Sequence, residues 1–381
     1  TLSLHDALPV TLTSATQITG MRISDLGKIK YSEISTEING SINDWSFAGR
    51  ASADNIELAK VHIDGDRNKA KFYAGRDNLL VNDLLSLNVN KPIELALIDG
   101  KLSYQIATQL GKNEGMLFND FSQLINEPLS LSVSLKEMTG DIEGTWLQDV
   151  NWQQSFTIEN KKLVTIKPSS ANLSIGKVEA ATPMKNLNMI THVNLSADLL
   201  NIEMENVYGE FLGGHFTLAN AQWPLPVNHS VDVKLNEIDL EELLALDPKQ
   251  GIVVTGKVSG EFPLFYDGQQ FLIHQGEIRN VSNGVIQVGN NPAVSELKSS
   301  STELKLAFEA LENLHYHHLF ANVSMADDGY MLLDTVIQGR NPDLDNDVNL
   351  NLNLNYDLLG LIESLNITEH FESKVIKGLQ K

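Results

Sequence analysis

The feature that most restricts the fold of this chain is a strict alternation of apolar and polar residues near its C-terminal end. Across residues 348–355 every second residue is Val or Leu, and each residue between them is Asn. Successive side chains of a β-strand point to opposite faces of a sheet, so this segment predicts a strand with one apolar and one polar face. A helix would distribute the same leucines around its whole circumference.

The same alternation recurs along the chain, most regularly in residues 129–135 and 229–235. Weaker versions occur at 34–42, 93–97, 163–166, 173–178, 193–197, 216–218, 252–258, 271–278 and 332–337. Asn-Gly or Asp-Gly pairs at 39–40, 64–65, 99–100, 267–268, 283–284 and 328–329 predict hairpin turns between such segments. The sequence therefore predicts an all-β fold, a long antiparallel sheet with one apolar face.

A few short segments carry a helical pattern instead. Residues 239–246 begin with Asp239 as an N-cap, and Glu242 completes a capping box. Residues 302–315 place three apolar side chains and His315 on one stripe at helical spacing. Further short amphipathic helices are predicted at 76–87, 118–125 and 356–365. Strand repetition gives way to mixed helix and strand near Asp239, which predicts an elongated β-segment over 11–238 and a C-terminal segment over 239–381.

Charge and cysteine content exclude several classes of function. The chain has 49 acidic and 28 basic residues, a net charge of −21, which repels nucleic-acid phosphates and argues against electrostatic docking onto an anionic membrane. It has no cysteine, so disulfides, thiolate nucleophiles and cysteine metal sites are excluded. No apolar run is long enough for a transmembrane helix. A lipid ligand would therefore bind through apolar surface.

Motifs that carry chemistry are weak in this sequence. Residues 315–318 read His-Tyr-His-His, but no cysteine or acidic pair at ligand spacing accompanies them, so a polar helix end is favoured over a zinc site. Gly213 and Gly214 precede an alternating segment without a nucleotide-binding pattern, and we interpret them as a tight turn. We predict no catalytic residue, no metal and no cofactor, and therefore no enzyme.

Alternation establishes that each strand is one-sided, but it does not establish what covers the apolar side. Apolar strand faces commonly pack against each other in a sandwich, which would make the chain a periplasmic binding or adhesion module with a sealed core. A β-rich enzyme acting on carbohydrate through paired carboxylates is a further alternative. The first alternative predicts a chain without bound lipid, and the second predicts turnover that depends on specific carboxylates.

An ordered set of segments from Gly213 onward resembles the C-terminal region of YdbH-type proteins, within the AsmA-like and TamB-like family. The segments that carry the resemblance are 213–218, 223–225, 239–244, 251–263, 271–278, 284–286, 310–316, 339–342 and 348–354. Residues 11–206 resemble the family only in their one-sided strands. The order of the segments carries the resemblance, because none of them is as specific as a metal or nucleotide fingerprint.

The resemblance implies a periplasmic bridge of Gram-negative bacteria that carries phospholipid between the inner and outer membranes. Its sheet would curl strongly into an open apolar trough, shaped like a taco. An N-terminal helix would anchor the protein in the inner membrane, and a small YnbE-like lipoprotein of the outer membrane would continue the sheet by strand addition. Older descriptions connect this region with dicarboxylate transport, and a transport accessory is a further alternative.

These expectations assign residues to three parts of the chain. Residues 1–10 are interpreted as a non-native leader, and the anchor is expected to precede this fragment. The predicted lining of the lipid groove consists of Leu129, Leu131, Val133, Leu135, Val231, Val233, Leu235, Val348, Leu350, Leu352 and Leu354. The predicted edge for the partner strand consists of Val348, Asn349, Leu350, Asn351, Leu352, Asn353 and Leu354.

Overall fold

The structure is a computed structural model that describes residues 10–23, 27–41, 44–66, 68–87, 95–111, 129–142, 144–159, 162–179, 182–196, 199–289 and 292–357. These residues form a single, open antiparallel sheet of 21 strands with a few short helices. The predicted fold class is therefore confirmed. Its physical basis is the period-two alternation, which suits a sheet with one apolar and one polar face.

The strands in chain order are β1 (Val10–Ile23), β2 (Gly27–Ser41), β3 (Asp44–Ala53), β4 (Ile56–Gly65), β5 (Lys69–Leu80), β6 (Leu95–Gly111), β7 (Leu129–Ile142), β8 (Thr145–Glu159), β9 (Lys162–Ile166), β10 (Leu173–Glu179), β11 (Met184–Ser196), β12 (Leu199–Phe211), β13 (Gly214–Trp223), β14 (His229–Asp239), β15 (Ile252–Val254), β16 (Lys257–Tyr266), β17 (Phe271–Asn280), β18 (Gly284–Val288), β19 (Leu314–Met325), β20 (Tyr330–Asn341) and β21 (Asn346–Asp357). The helices are α1 (Val81–Ser86), α2 (Leu240–Ala245), α3 (Pro292–Ser300) and α4 (Thr302–Leu311).

The chain divides into two units. Unit 1 comprises Thr1–Gly176 and Ile190–Asn201, and unit 2 comprises Lys177–Met189 and Ile202–Lys381. In unit 1 the strands from β1 to β9 pair antiparallel in chain order. In unit 2 the ladder runs β12, β13, β14, β16, β17, β19, β20, β21, while β18 pairs with both β15 and the start of β19.

Bulges with positive φ recur inside the strands. Asn78, Glu137 and Glu237 have φ of 51°, 53° and 54°, and the strand register shifts at each of them. Their backbone N–H groups donate to side chains of the neighbouring strand, namely Ser103, Asn151 and Ser259, at 3.0, 3.0 and 3.1 Å. A bulge bends its strand and increases the local twist. The sheet is thus bent without leaving these donors unpaired.

Two helix predictions are confirmed at their starts. Asp239 precedes α2 and accepts a hydrogen bond from the Glu241 backbone N–H at 2.8 Å, as expected of an N-cap. Ser301 precedes α4 and accepts from the Leu304 N–H at 3.1 Å. The prediction for 76–87 is partly wrong, since β5 continues to Leu80 before α1. Helix α3, which begins at Pro292, was not predicted. Residues 118–125 and 358–365 lie outside the described residues.

The histidine cluster lies on a strand, and its predicted place at a helix end is wrong. Helix α4 ends at Leu311, and β19 begins at Leu314. Residue 316 pairs with Gly284 on one side and Gly339 on the other, which fixes the segment in the sheet. The imidazoles of residues 315, 317 and 318 are exposed, whereas Tyr316 between them is buried. The helical stripe therefore stops before the histidines.

The predicted hairpin turns are only partly correct. Pairs 267–268 and 328–329 form the turns of the β16–β17 and β19–β20 hairpins, and pair 283–284 connects β17 to β18, which both pair with β19. Pairs 39–40, 64–65 and 99–100 lie within strands. Gly40 (φ +115°) and Gly100 (φ +146°) adopt conformations that favour glycine. At Gly40 an added Cβ would lie 2.8 Å from the Trp45 Cα. Glycine is required there by the close approach of strands.

Candidate functional site

The candidate site is the apolar face of the sheet, which in unit 2 is defined by strand register. Directly paired residues lie on the same face, and the pairing links one apolar residue of each strand to the next. Between Phe262 and Gly276 the register shifts, but the phenylalanine ring lies 3.0 Å from the position that a Cβ of Gly276 would occupy. We call this set the apolar row: Val207, Leu218, Val233, Phe262, Gly276, Val323, Leu333 and Leu354.

The polar face carries a matching row one residue along the same strands. Lys234, Glu261, Glu277, Asn322, Asp334 and Asn353 are paired in this order. The Lys234 Nζ lies 3.0 Å from the Glu261 Oε1. Across these six strands the sheet therefore separates apolar from polar side chains without exception along the two rows. At about 4.8 Å per strand, the full apolar row of eight strands is about 34 Å long.

Side chains in the middle of the apolar face of unit 2 are buried although a single sheet forms it. Val323 is 2% exposed, Ile273 is 3% exposed and Val231 is 7% exposed. A flat isolated sheet leaves one-sided apolar residues in contact with solvent, so other residues of unit 2 shield these side chains. The predicted lining residues Val231, Val233 and Leu235 all lie on β14 at this face. The middle of the apolar face of unit 2 is therefore largely shielded from solvent.

Unit 1 repeats the separation of faces in its own strands. Its apolar residues Val61, Ala74, Ile106, Leu131 and Phe156 are paired in this order, and Phe156 pairs with the polar Thr165 of β9. The predicted lining residues Leu129, Leu131, Val133 and Leu135 are partly buried and alternate along β7 on this face. Their partners on β6 include Leu102 and Tyr104. The predicted alternation in this segment thus corresponds to one continuous face of unit 1.

A cluster of apolar side chains closes one end of the apolar face of unit 2. Its buried members are Ile286, Val288, Leu311, Leu314, Tyr316 and Ile337. The predicted lining residues Val348, Leu350 and Leu352 pack against them, together with residues of α2, α3, α4 and β15. We call the helices α2–α4 with β15 and β18 the cap. Leu354, two residues farther along β21, is 48% exposed. Part of the predicted lining therefore contacts protein in this structure.

Buried polar side chains hold the cap against the sheet. The Tyr316 hydroxyl donates to the Thr255 carbonyl at 2.7 Å, and burial, followed by the charge of Asp239, raises the pKa of this tyrosine. Asn341 is 1% exposed, and its amide donates to the carbonyls of Glu309 and Ala310 at 3.2 and 3.1 Å. These carbonyls belong to the last turn of α4, where backbone carbonyls lack the usual i+4 donors, and the Glu309 carbonyl also accepts from the Glu312 N–H at 3.3 Å. Sequence reasoning missed this cap because its contacts join distant segments.

One polar group breaks the apolar character of this face. Thr335 pairs with Ala321 and Leu352 and is 5% exposed. Its hydroxyl has no hydrogen-bond partner in the structure. An unpaired buried hydroxyl costs about 1–3 kcal/mol. Threonine is therefore less favourable at this position than the isosteric valine.

In unit 1 an asparagine side chain bridges two strands where the sheet is interrupted. Asn172 lies between β9 and β10. Its amide donates to the carbonyls of Gln153 and Thr191 at 2.9 and 3.0 Å, and its oxygen accepts from the Thr191 N–H at 2.6 Å. The Thr191 hydroxyl in turn accepts from the Trp152 indole at 3.1 Å. The amide thus replaces backbone hydrogen bonds that a continuous strand would provide.

The last described strand offers an edge. Within the described ranges, β21 pairs with β20 and with no second strand. The side chains of Asn349, Asn351 and Asn353 are exposed on its polar face. The predicted edge residues from Val348 to Leu354 all lie in this strand. Unpaired backbone groups of such an edge are a template for strand addition.

The described residues offer neither a metal site nor a membrane-spanning helix. In the part of the chain that the structure describes, no three His, Asp or Glu side chains are grouped in a way that would hold a metal ion. Across the same residues, no helix combines the length and the apolar character that a membrane crossing requires. The candidate functional site remains the apolar face of the sheet.

Comparison with known proteins agrees with this geometry. The sequence model of the YdbH-like family, described as "Intermembrane phospholipid transport protein YdbH", matches residues 10–380. No curated protein and no solved structure matches the chain. The family match extends beyond the segments from Gly213 onward and includes the one-sided strands of unit 1. The chain belongs to the YdbH-like family of intermembrane phospholipid transport proteins.

Proposed function

We propose that the chain holds phospholipid acyl chains on the apolar face of its sheet and conducts them between the inner and outer membranes across the periplasm. The observation that carries this proposal is the pair of rows in unit 2, one apolar and one polar, on opposite faces of the same strands. Anchoring of the protein in the inner membrane belongs to the same proposal. The family is one of transport proteins and not of enzymes.

The physical chemistry of lipid transfer supports this assignment. Exposing a lipid acyl chain of about 16 carbons to water costs roughly 13 kcal/mol of free energy, at about 0.8 kcal/mol per methylene. A continuous apolar surface removes that cost at each point along the path. Half-buried aliphatic side chains such as Val233 and Leu333 offer contact without a hydrogen bond that would select or retain a particular headgroup. The polar row keeps the opposite face compatible with water.

The sealed β-sandwich is the second candidate, and the sheet arrangement favours it less. A sandwich requires two sheets whose apolar faces cover each other. The described strands belong to one open sheet, and the cap covers only one end of the apolar face of unit 2. We therefore prefer the conduit, in which the half-buried and exposed side chains of this face, such as Val233, Leu333 and Leu354, are available to lipid.

Replacing Leu354 with Asp should reduce the phospholipid that co-purifies with the chain by about tenfold, because the substitution removes roughly 1.5–3 kcal/mol of apolar contact and adds a hydrated charge. Leu354 is 48% exposed, so the substitution is compatible with folding. The measurement is native mass spectrometry with lipid extraction, on protein purified gently from bacterial periplasm.

The matched control is Leu332→Asp. Leu332 is 52% exposed and lies on the polar face of the adjacent strand, next to Leu333 of the apolar row. This variant should keep the lipid content of the unmodified chain. An equal loss of phospholipid in both variants would mean that lipid binding does not depend on which face of the sheet carries the substitution. An unmodified chain free of phospholipid would instead favour the sandwich and end the conduit proposal.

We further propose that a small outer-membrane lipoprotein adds a strand to the free edge of β21. The strand is 12 residues long, which is enough for a stable ladder with an extended partner. Deleting β21 would be a poor test, because Val348, Leu350 and Leu352 pack against the cap. A test should leave the strand in place.

Single cysteines placed along β21 should cross-link to cysteines of the lipoprotein with a period of two residues. The chain has no native cysteine, so each cross-link reports one position. Strand addition predicts this period because alternate side chains share a face. Cysteines at polar positions of β20, such as Asp334 and Gln338, are the control and should give weaker cross-links. Cross-linking without periodicity would refute strand addition.

A further inference from the structure

A short segment between α2 and β15 contacts the last strand of unit 2 from a distance of about one hundred residues in sequence. The Tyr356 hydroxyl donates to the Asp247 carboxylate at 2.9 Å, across a separation of 109 residues. The Lys249 ammonium lies 2.6 Å from the same carboxylate. Lys249, and after it Tyr356, lowers the pKa of Asp247 below its usual value. We call residues 246–251 the strap.

The strap is fixed at both of its ends. The N–H groups of Leu246 and Asp247 donate to carbonyls of α2 at 3.2 Å each. At the other end the Gly251 carbonyl accepts from the Gly289 N–H at 2.8 Å, next to the β15–β18 ladder. The Tyr356 bond connects the Asp247 side chain, near the α2 end of the strap, to the far end of β21.

The strap lies on the apolar side of β21. Tyr356 has the same alternation as Leu350, Leu352 and Leu354, and it pairs with Met331 of β20. At the other end of β21, Leu240 of α2 packs against the cap cluster together with Leu350 and Leu352. Helix α2, through Leu240, and the strap, through Asp247, therefore each contact a part of unit 2 on the apolar side of β21.

We infer that the strap is a closing device for the apolar face of unit 2 and that the Tyr356–Asp247 hydrogen bond is its latch. In the closed state the Tyr356–Asp247 hydrogen bond holds the start of the strap beside Tyr356, on the apolar side of β21. An acyl chain reaches this end of the face when the latch opens and residues 247–250 move away from β21. This inference rests on the proposed function, because it concerns access of lipid to the same apolar face.

The latch is tested with Tyr356→Phe, which removes the hydroxyl and keeps the ring. Lys249 places a trypsin site inside the strap, so the rate of cleavage after Lys249 reports how often the strap is open. Loss of one hydrogen bond should raise that rate roughly fivefold. The control is Tyr330→Phe, on an exposed tyrosine of β20. Asp247→Ala and the double variant complete a cycle, which should show non-additive effects.

Access to the apolar face is measured with the uncharged fluorescent probe N-phenyl-1-naphthylamine and with phospholipid uptake from vesicles. Tyr356→Phe should accelerate both by a factor similar to that of cleavage. Unchanged cleavage would overturn the latch. Faster cleavage with unchanged probe access would overturn the closing role of the strap. A chain that takes up the probe but no phospholipid, with cleavage still sensitive to Tyr356, would refute the proposed function and leave the latch in place.

Discussion

Replacing Leu314 with Ala should lower the free energy of unfolding of the cap by about 3 kcal/mol, within the 2–5 kcal/mol typical of buried leucines. Leu314 is fully buried at 0% exposure, and it lies in the cap cluster between β18 and α4. The loss of stability has two parts, the burial free energy of the three deleted carbon atoms and the cavity that the cap cannot fill. Hydrogen exchange of the backbone amides in α4, β15 and β18 measures this loss of stability locally.

The control for this prediction is Leu306→Ala. Leu306 lies on α4 and is 62% exposed, so removing the same atoms should change stability by less than about 0.5 kcal/mol. Exchange in β3–β8 of unit 1 should be unaffected by either variant. A similar small effect at both leucines would contradict the role of the cluster, and it would mean that the cap does not protect Leu314 in solution.

Replacing Asn172 with Ala should destabilise unit 1 by about 3 kcal/mol, because it removes the side-chain partner of the buried N–H and carbonyl of Thr191, at a cost of about 1–3 kcal/mol each. Thr191, whose N–H and carbonyl both bond to this amide, is 2% exposed. Urea unfolding followed by tryptophan fluorescence measures the change, since the Trp152 indole donates to the Thr191 hydroxyl. Faster exchange of the Thr191 amide is expected as well.

Two further variants make this test specific. Asn172→Asp keeps the size and the acceptor oxygen but turns a carboxylate oxygen toward the carbonyls of Gln153 and Thr191, so it should also destabilise the unit. Asn188→Ala removes an exposed amide of β11, three residues before Thr191, whose bond to the Asn186 carbonyl is local. It should have little effect. A stable Asn172→Ala variant would show that water replaces the amide.

Much of the secondary structure could be predicted because it depends on side-chain periodicity within one segment. The strand at 348–355 is an example, since each of its leucines alternates with an asparagine and both faces can be read without knowing any partner. Asp239 as a helix N-cap is another, because a cap bonds within its own turn. The glycine pairs at 39–40 and 99–100 were misinterpreted, because a glycine that permits close strand approach has the same local sequence as one in a turn.

The function of the chain depends on contacts that no local pattern reports. Strand pairing and register involve residues far apart in sequence. They alone place Val233, Val323 and Leu354 in one row. The packing of the cap could not be predicted for the same reason, since Val348 and Leu350 alternate as an open lining would, yet pack against the buried cluster around Leu314.

The sequence by itself determined that the strands are one-sided, because alternation acts over neighbouring residues. Only the tertiary structure decided what each apolar side meets. That choice is made by bulges, strand order and contacts such as Tyr356–Asp247, which join residues 109 positions apart. The free energy of those contacts appears only when the chain has folded and the distant groups are brought together.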